Sequence, residues 1–393
     1  MNAGAPHMNR VRVGGGSPTA HHDVAIVGAG AVGLLLGCLL ARRGLDVVVL
    51  ERRETPGERT RAIGIHPPGL RALDAAGVGA AVREASVPIR SGVVLCEGAV
   101  LGTMRFHGEP IRSLPQRDTE ALLAARLAEV APSALRRGIR VTGVRDRGTH
   151  AEVFVDGDAA IAAAYVVGAD GIRSTVREAL SIEVRARRGT GEYVMVDTVD
   201  ASDDGDLARL HFEPAGVVES FPLPGGRRRW VARVRRAPAV LEPRTIATIA
   251  AARVGVDLEA DAMDRPAAFT ARQRLADRFA EGRIALVGDA AHEISPIGGQ
   301  GMNLGWLDAV HLDRALAAAL AGGASAAPHE AFDAYAAARR RAAIRAMRQA
   351  AFNMAMGAPI TGMRLHARNA AVRVLAVPPM RGALAAAFTM RRL

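Results

Sequence analysis

The sequence feature that most restricts the fold is a glycine-rich turn between an apolar strand and a helix. Residues 23–27 form a largely apolar strand, a helix is predicted over 34–43, and a second strand over 46–50 leads into Glu51. The glycines of the turn have the GxGxxG spacing: Gly28, Gly30 and Gly33. In such a unit they permit a tight turn, close approach of a pyrophosphate and close helix–strand packing, and the acidic residue reaches an adenosine ribose. The sequence therefore predicts an α/β fold with a Rossmann-type dinucleotide-binding domain.

The charge of the chain does not indicate a nucleic-acid partner. Of the 393 residues, 51 are basic and 40 acidic, for a formal net charge of +11, and every basic residue is arginine. The arginines are spread along the chain, whereas nucleic-acid binding needs basic residues clustered on one surface or strand-borne stacking aromatics. A hydrophobic content of 49% also excludes a disordered chain. We expect a globular protein that does not bind nucleic acid.

The two cysteines carry no metal or redox motif. Cys38 and Cys96 lie in apolar stretches without zinc-site or CxxC spacing, so we expect buried thiols, no metal site and a cytoplasmic location. Residues 1–22 lack the apolar run of a secretory signal, and no run of about 18 uncharged apolar residues is present to span a membrane.

Changes in pattern divide the chain into an α/β part and an inserted part rich in strands. Short alternating stretches with many valines and aromatics occur over 92–105 and 192–234, and a strand, a glycine-rich loop and a helix return after 282. We predict the following regions: a flexible N-terminal tail, 1–22; a dinucleotide-binding domain, 23–91 with 106–185 and 272–330; a mainly antiparallel β-sheet domain, 92–105 with 186–271; and a C-terminal helical segment, 331–393.

Two further motifs resemble those of a known enzyme family. The first is Gly168-Ala-Asp-Gly-Ile-Arg-Ser, and the second is Gly288-Asp-Ala-Ala-His followed by Pro296 and Gly298-Gly-Gln-Gly-Met-Asn303. In this order they resemble the DG and GD motifs of the single-component flavoprotein monooxygenases, which include para-hydroxybenzoate hydroxylase and the aromatic polyketide hydroxylases. The resemblance covers about residues 22–390. It implies that the predicted β-sheet domain binds the substrate and that the dinucleotide is FAD.

The resemblance also implies which residues hold FAD, bound tightly but not covalently. The residues that match cofactor-binding positions are Gly28, Gly30, Gly33, Glu51, Arg52, Arg61, Gln116, Val141, Asp170, Asp289, Pro296, Gly299, Gln300, Gly301, Met302 and Asn303. Of these, Glu51 and Arg52 would serve the adenosine ribose, Arg61 and Asp289 the diphosphate side, and the backbone of 299–303 the isoalloxazine. A helix N-terminus rich in free N–H groups at that ring would stabilise the anionic reduced flavin.

The activity implied by the resemblance is hydroxylation of a lipophilic aromatic compound, of polyketide or phenol/quinone type, with NAD(P)H and O2 through a C4a-hydroperoxyflavin, as in antibiotic biosynthesis. Epoxidation, Baeyer–Villiger oxidation and hydroxylation of a quinone precursor remain alternatives, and a redox-inactive flavin-binding protein is an alternative of another class. No acid or base is assigned to the reaction, and His66 and His292 are interpreted as structural. The oligomeric state and the choice between NADH and NADPH stay open.

Three aromatic residues on the predicted strands are candidates for the substrate pocket. Phe212, Phe221 and Trp230 lie in alternating stretches, and ordinary core packing is the equally weighted alternative. Beyond them, the basic, methionine-rich segment 354–393 is expected to pack on the FAD-binding domain, with binding to an anionic membrane surface as the alternative. Pro359 and the pair Pro378-Pro379 would interrupt any long amphipathic helix there.

Overall fold

A computed structural model of the chain describes residues 21–57, 62–106, 108–157, 159–321 and 328–377, together with 380, 382 and 390. Most of the predicted N-terminal tail, residues 1–20, lies outside the described residues.

The described residues contain helices and strands in alternation, numbered here in chain order. The α-helices are α1 Ala31–Arg42, α2 Pro67–Ala76, α3 Gly79–Ala85, α4 Gln116–Val130, α5 Thr175–Ala179, α6 Pro243–Val254, α7 Gln300–Ala321, α8 Pro328–Met356 and α9 Met363–Leu375. The strands are β1 His21–Val27, β2 Val47–Glu51, β3 Gly64–Ile65, β4 Val87–Ile89, β5 Ser91–Cys96, β6 Ala99–Arg105, β7 Ile111–Ser113, β8 Leu135–Arg137, β9 Val141–Asp146, β10 Ala151–Val155, β11 Ala160–Gly168, β12 Val184–Ala186, β13 Gly191–Val199, β14 Leu207–His211, β15 Val218–Leu223, β16 Arg227–Val234, β17 Ala267–Ala271, β18 Arg274–Ala276, β19 Ala280–Glu281, β20 Ile284–Leu286 and β21 His292–Glu293.

The first layer is an eight-stranded sheet with the order β19-β20-β11-β1-β2-β8, to which β10 and β9 are added as a branch from β11. The pairs around β1 are parallel, with Val24 opposite Val47 on one side and Tyr165 on the other. Residues 24–27 of β1 and all of β2 are mostly apolar and buried; helix α1 packs on both strands, and α7 packs on α1. This is the Rossmann-type layer that the glycine pattern predicts.

The second layer is a seven-stranded sheet with the order β17-β13-β16-β15-β14-β5-β6. Its pairs are antiparallel except β14 with β5. Helix α6 covers one face, where Ile246 packs in a cluster with Val194, Val196, Val218 and Trp230. The opposite face carries Met195 in a second apolar cluster. An α/β protein with a mainly antiparallel second sheet is therefore confirmed.

Two three-stranded sheets, β3-β7-β4 and β12-β18-β21, complete the strand pairing of the described residues. The first of them joins the two layers, since β4 and β7 both contact β15 of the seven-stranded sheet while β3 contacts α7. A cavity is enclosed where these elements meet, as described below.

The C-terminal helices pack differently from the expectation. Helix α9 lies against β6, with Leu365 and Val372 buried beside Cys96 of the seven-stranded sheet. The prediction that this part of the chain packs on the FAD-binding domain is therefore wrong for α9. Met390, in contrast, is buried in the main core. Among the apolar residues of the segment 354–393, Met354 is buried and Met363 is 88% exposed, while Pro378 and Phe388 lie outside the described residues. No described helix is long and apolar enough to cross a membrane.

Candidate functional site

The glycine turn after β1 is shaped by close backbone contacts. Gly28 has a φ of +106°, and a Cβ there would lie 2.5 Å from the carbonyl oxygen of Ala169. A Cβ on Gly33 would lie 2.0 Å from the carbonyl oxygen of Gly28. At Gly30, by contrast, the nearest heavy atom to an added Cβ is the Glu120 carboxylate at 3.8 Å. The protein itself thus leaves space at Gly30, which fits a pyrophosphate at the N-terminus of α1.

A groove runs from this turn past the end of β2. Glu51 lies at its wall, and its carboxylate accepts hydrogen bonds from the Ala29 N–H at 3.0 Å and from Arg53. Burial opposes ionisation, but these hydrogen bonds outweigh it and hold the pKa of Glu51 below its ordinary value. An ionised carboxylate here fits a ribose diol. Arg52, Arg53, Arg140 and Arg173 line the same groove and supply positive charge beside the expected diphosphate.

Glu120 is a site residue that the motif analysis missed. Its Oε1 accepts hydrogen bonds from the Ala31 N–H at 3.1 Å and from the side chain of Gln116 at 2.8 Å. Gln116, a predicted cofactor residue, lines the groove on both sides of the glycine turn and is oriented by this contact. The α-helical spacing of four residues between Gln116 and Glu120 was the available signal, since it places both on one face of α4.

The DG motif forms one wall of the groove. Asp170 accepts a hydrogen bond from the Val176 N–H at 3.2 Å through Oδ2, and its buried Oδ1 has no partner among the described residues. Burial raises the pKa of the Asp170 carboxyl. Asp170 therefore binds the first turn of α5, whose N-cap is Ser174, and keeps one oxygen available. Arg177, also missed, donates to the carbonyl oxygens of Ile172 and Ala290, each at 3.0 Å, and so joins the DG motif to the GD motif.

Below the GD motif lies a buried polar cluster. Gly288 to Ala290 form a short 3-10 turn, from which exposed Asp289 lines the groove. The Asp308 carboxylate accepts hydrogen bonds from the Gly288 N–H, from His292 and from Arg339. Burial opposes its ionisation, but His292 and Arg339 outweigh burial and lower the pKa of Asp308. His292 therefore supports the loop from beneath, as its structural interpretation requires.

The loop before α7 is tied to β3 and α2. The side chain of Asn303 accepts a hydrogen bond from the His66 N–H and donates to the carbonyl oxygens of Gly64 and Gly299, each at 2.8 Å. His66 Nε2 lies 3.0 Å from the carbonyl oxygen of Gly298. Burial lowers the pKa of His66 to about 4, so the ring is neutral near pH 7 and Nε2 is the donor.

The structure brings most of the predicted cofactor residues into one continuous groove. Its two halves share Gly30, Gln116, Ala169 and Gly171. The predicted residues that line it are Gly28, Gly30, Glu51, Arg52, Gln116, Val141, Asp170, Asp289, Pro296, Gly299, Gly301 and Met302. Gly33, Gln300 and Asn303 do not line it and are buried; Gly33 packs against the Gly28 carbonyl in the turn, and Asn303 ties the loop to β3. Arg61 lies outside the described residues.

A largely apolar cavity adjoins the far end of this groove. The two share Ala62, Phe269, Pro296 and Gly299. The apolar side chains of its wall come from the seven-stranded sheet, from the small β3-β7-β4 sheet and from residues next to their strands: Ile63, Ile89, Phe106, Ile111, Met195, Leu210, Phe221 and Val231. The charged or titratable side chains among the described lining residues are His66, Glu219 and Arg229.

The three aromatic candidates for the pocket occupy different places. Phe221 lines the cavity beside Pro296, and Phe212 lines a neighbouring cavity that shares Leu210, Glu219 and Ile297 with it. The assignment of Trp230 to a pocket wall is wrong. It pairs with Ser220 across the hairpin, points to the face under α6 and is 4% exposed, because side chains alternate along a strand.

Comparison with known proteins places this geometry in a sequence family. A family model described as an FAD-binding domain matches residues 21–350. The 12-dehydrotetracycline 5-monooxygenase/anhydrotetracycline 6-monooxygenase of Streptomyces rimosus is 34% identical over 343 residues, which are 81% of this chain and 66% of that protein. A 3-(3-hydroxy-phenyl)propionate/3-hydroxycinnamic acid hydroxylase of Burkholderia vietnamiensis is 35% identical over 303 residues, which are 74% of this chain and 55% of that protein. The chain thus spans less than two thirds of the length of these relatives.

The solved structures agree with the sequence comparison. The anhydrotetracycline hydroxylase from Streptomyces rimosus superimposes with a TM-score of 0.78 and 29% identity, covering 95% of this chain and 76% of that chain.

Proposed function

This chain belongs to the FAD-binding domain family of flavoproteins, and we propose that it is an FAD-dependent monooxygenase that uses NAD(P)H and O2 to hydroxylate a lipophilic aromatic compound. The FAD groove and the apolar cavity share the wall residues Pro296 and Gly299, and this single observation carries the proposal. A flat substrate in the cavity would therefore contact FAD bound in the groove at the Pro296 loop.

The residues of the groove bind and orient the cofactor. FAD, when bound, would supply the redox chemistry by accepting a hydride from NAD(P)H and activating O2. Gly30 leaves room for its pyrophosphate, and Arg52, Arg140 and Arg173 offset the negative charge. The free N–H groups at the start of α7, from Gly301 and Met302, face the expected flavin end and stabilise negative charge there.

The residues of the cavity exclude water and select the substrate. Apolar side chains dominate the wall, which favours a neutral aromatic ring over a small charged compound. Arg229 is engaged with the Asp197 carboxylate through bonds of 2.6 and 2.8 Å. The neutral His66 ring places no charge at the junction of groove and cavity. A dry wall of this kind protects a reactive oxygen species from water.

We also keep the predicted domain division as a proposal. In it, 23–91 with 106–185 and 272–330 bind FAD, 92–105 with 186–271 bind the substrate, and 331–393 are the helical segment. Both cysteines are buried and unpaired, which supports a reducing compartment, and we place the protein in the cytoplasm.

The proposal is tested with the purified, FAD-loaded protein. We expect NADH or NADPH oxidation to accelerate when polycyclic phenols are added, and the organic product to gain one oxygen atom that derives from isotopically labelled O2. A protein that retains no FAD, or that oxidises NAD(P)H equally with and without every aromatic compound and yields only hydrogen peroxide, would contradict it.

A further inference from the structure

Glu219 is a buried carboxyl group on the cavity side of the seven-stranded sheet. It lies on β15, opposite Leu210 of β14 and Val231 of β16, and all three side chains line the cavity. The residue is 6% exposed. Glu219 also lines the neighbouring cavity beside Phe212, so that it stands where the two cavities join.

The carboxyl group of Glu219 has no hydrogen-bond or ion-pair partner in the part of the chain that the structure describes. Other buried acids do have partners: both carboxylate oxygens of Glu213 share the Glu97 N–H in a bifurcated hydrogen bond, and Asp308 is held by His292 and Arg339. A buried carboxyl without a donor is costly for the fold, and such groups occur at ligand sites.

The groups around Glu219 decide what ligand would suit it. On β13, the Tyr193 hydroxyl is buried near it without a partner among the described residues, and Arg233 of β16 lies over the Tyr193 ring. Arg229, next on the cavity face of β16, is paired with Asp197. From the β3 side, His66 donates to a carbonyl oxygen. No described cation is directed at Glu219, so an anionic substrate would meet a carboxyl group rather than a positive charge.

We propose that Glu219 determines specificity by accepting a hydrogen bond from an uncharged ring hydroxyl of the substrate, and that it disfavours rings that carry a carboxylate. This inference rests on the proposed monooxygenase function. A hydroxyl group that donates to a carboxylate releases electron density into the ring and makes its carbon atoms more susceptible to an electrophilic oxygen. A carbonyl substrate would instead need the carboxyl to donate, which withdraws electron density.

The affinity for a hydroxyl donor should depend on pH, because burial raises the pKa of Glu219 to about 7. A hydroxyl donor stabilises the ionised carboxylate, so the affinity for a phenol should rise as the pH increases from 6 to 8. Because a hydrogen bond to a charged group is stronger than a neutral one, the gain should be about tenfold. The affinity for the matching methyl ether, which has no donor, should not rise.

The experiment measures equilibrium binding to the FAD-loaded protein without NAD(P)H, from the change in flavin absorbance. The probes are 2-naphthol, 2-methoxynaphthalene and 2-naphthoate. For the unaltered protein at pH 8 we expect 2-naphthol to bind about tenfold more tightly than the ether, and 2-naphthoate to bind most weakly. Glu219→Leu should remove the preference for naphthol over the ether, and Glu219→Gln should remove its pH dependence. Glu213→Gln, a change of a buried glutamate outside the cavity, should leave both unchanged.

The outcomes separate the inference from the proposed function. If both neutral naphthalenes bind but Glu219→Leu keeps the full preference for naphthol, Glu219 is not the acceptor and the inference is wrong. Binding of 2-naphthoate as tightly as 2-naphthol would also overturn it. If neither neutral compound binds to the unaltered protein, and no larger phenol accelerates NAD(P)H oxidation, the proposed function fails and the inference fails with it.

Discussion

The indole Nε1 of Trp306 donates a hydrogen bond of 3.0 Å to the carbonyl oxygen of Ala31. Trp306 is fully buried in α7, and Ala31 is the first residue of α1, so this bond fastens together the two helices whose N-termini border the FAD groove. This bond therefore adds to the core packing between α1 and α7 that sets the distance between the diphosphate end and the flavin end of the groove.

Replacement of the Trp306 indole should lower both the stability of the protein and its affinity for FAD. We expect Trp306→Phe to lose the hydrogen bond and leave a small cavity, which together lower the free energy of unfolding by about 2 kcal/mol. Affinity for FAD should fall several-fold because the first turn of α1 is no longer held against α7. Urea unfolding and FAD titration of the apoprotein measure the two effects. An unchanged unfolding midpoint would show that the contact contributes nothing to stability.

Substitutions at two glycines of the turn should affect FAD binding and protein stability separately. Gly30→Ala adds a Cβ into space that the protein leaves open, so apoprotein stability should change by less than about 1 kcal/mol. The same Cβ would meet the pyrophosphate, and the purified variant should lose FAD. Gly33→Ala places its Cβ 2.0 Å from the Gly28 carbonyl oxygen and should destabilise the protein itself. Flavin absorbance and thermal unfolding distinguish the two, and an FAD-saturated Gly30→Ala protein would contradict the pyrophosphate position.

Two aromatic residues on the hairpin of β15 and β16 should behave differently. Phe221 lines the cavity and Trp230 faces α6. Phe221→Ala should raise KM for an aromatic substrate about tenfold or more, since a large apolar contact is lost. Trp230→Phe should lower the melting temperature and leave KM unchanged. Steady-state NAD(P)H oxidation and thermal unfolding of both variants test this; an unchanged KM for Phe221→Ala would remove Phe221 from the substrate site.

Protein stability should also depend on the ionisation of Glu219. Its native pKa of about 7 lies above the ordinary value of 4.5, so between these pH values the native state binds more protons than the unfolded state. The free energy of unfolding therefore falls as the pH rises through this window. The total loss is on the order of 3 kcal/mol and is reached above pH 7. Glu219→Leu should remove it. The difference in unfolding free energy between variant and unaltered protein should grow from pH 5 to pH 8; a constant difference would contradict the raised pKa.

The dinucleotide-binding unit was predictable because its signals are local. The GxGxxG spacing, the strands on either side and Glu51 lie within one continuous βαβ segment, where chain connectivity alone brings them together. The DG and GD motifs were found for the same reason: each is a short loop whose residues line the groove directly, as Asp170 and Asp289 do.

The residues that sequence reasoning missed act over long distances along the chain. Glu120 reaches Ala31 from a separate helix, and Arg177 joins Ile172 to Ala290 across more than 100 residues. Glutamate and arginine at such positions resemble ordinary helix-surface residues until the helices are packed. The same limit applies to α9, whose mixture of arginines and apolar residues did not show which sheet it would cover.

What the sequence determined by itself was the pair of layers, the cofactor groove and the alternation of side chains along each strand. The alternation puts neighbours such as Ser220 and Phe221 on opposite faces of a strand, but both faces of this sheet are buried, one by α6 and one at the cavity. Apolar residues are therefore required on both, and their pattern cannot show which face meets the substrate. Only the packing of the second sheet on the β3-β7-β4 sheet and the Pro296 loop decided that Phe221 and Glu219 line the cavity while Trp230 lies behind it.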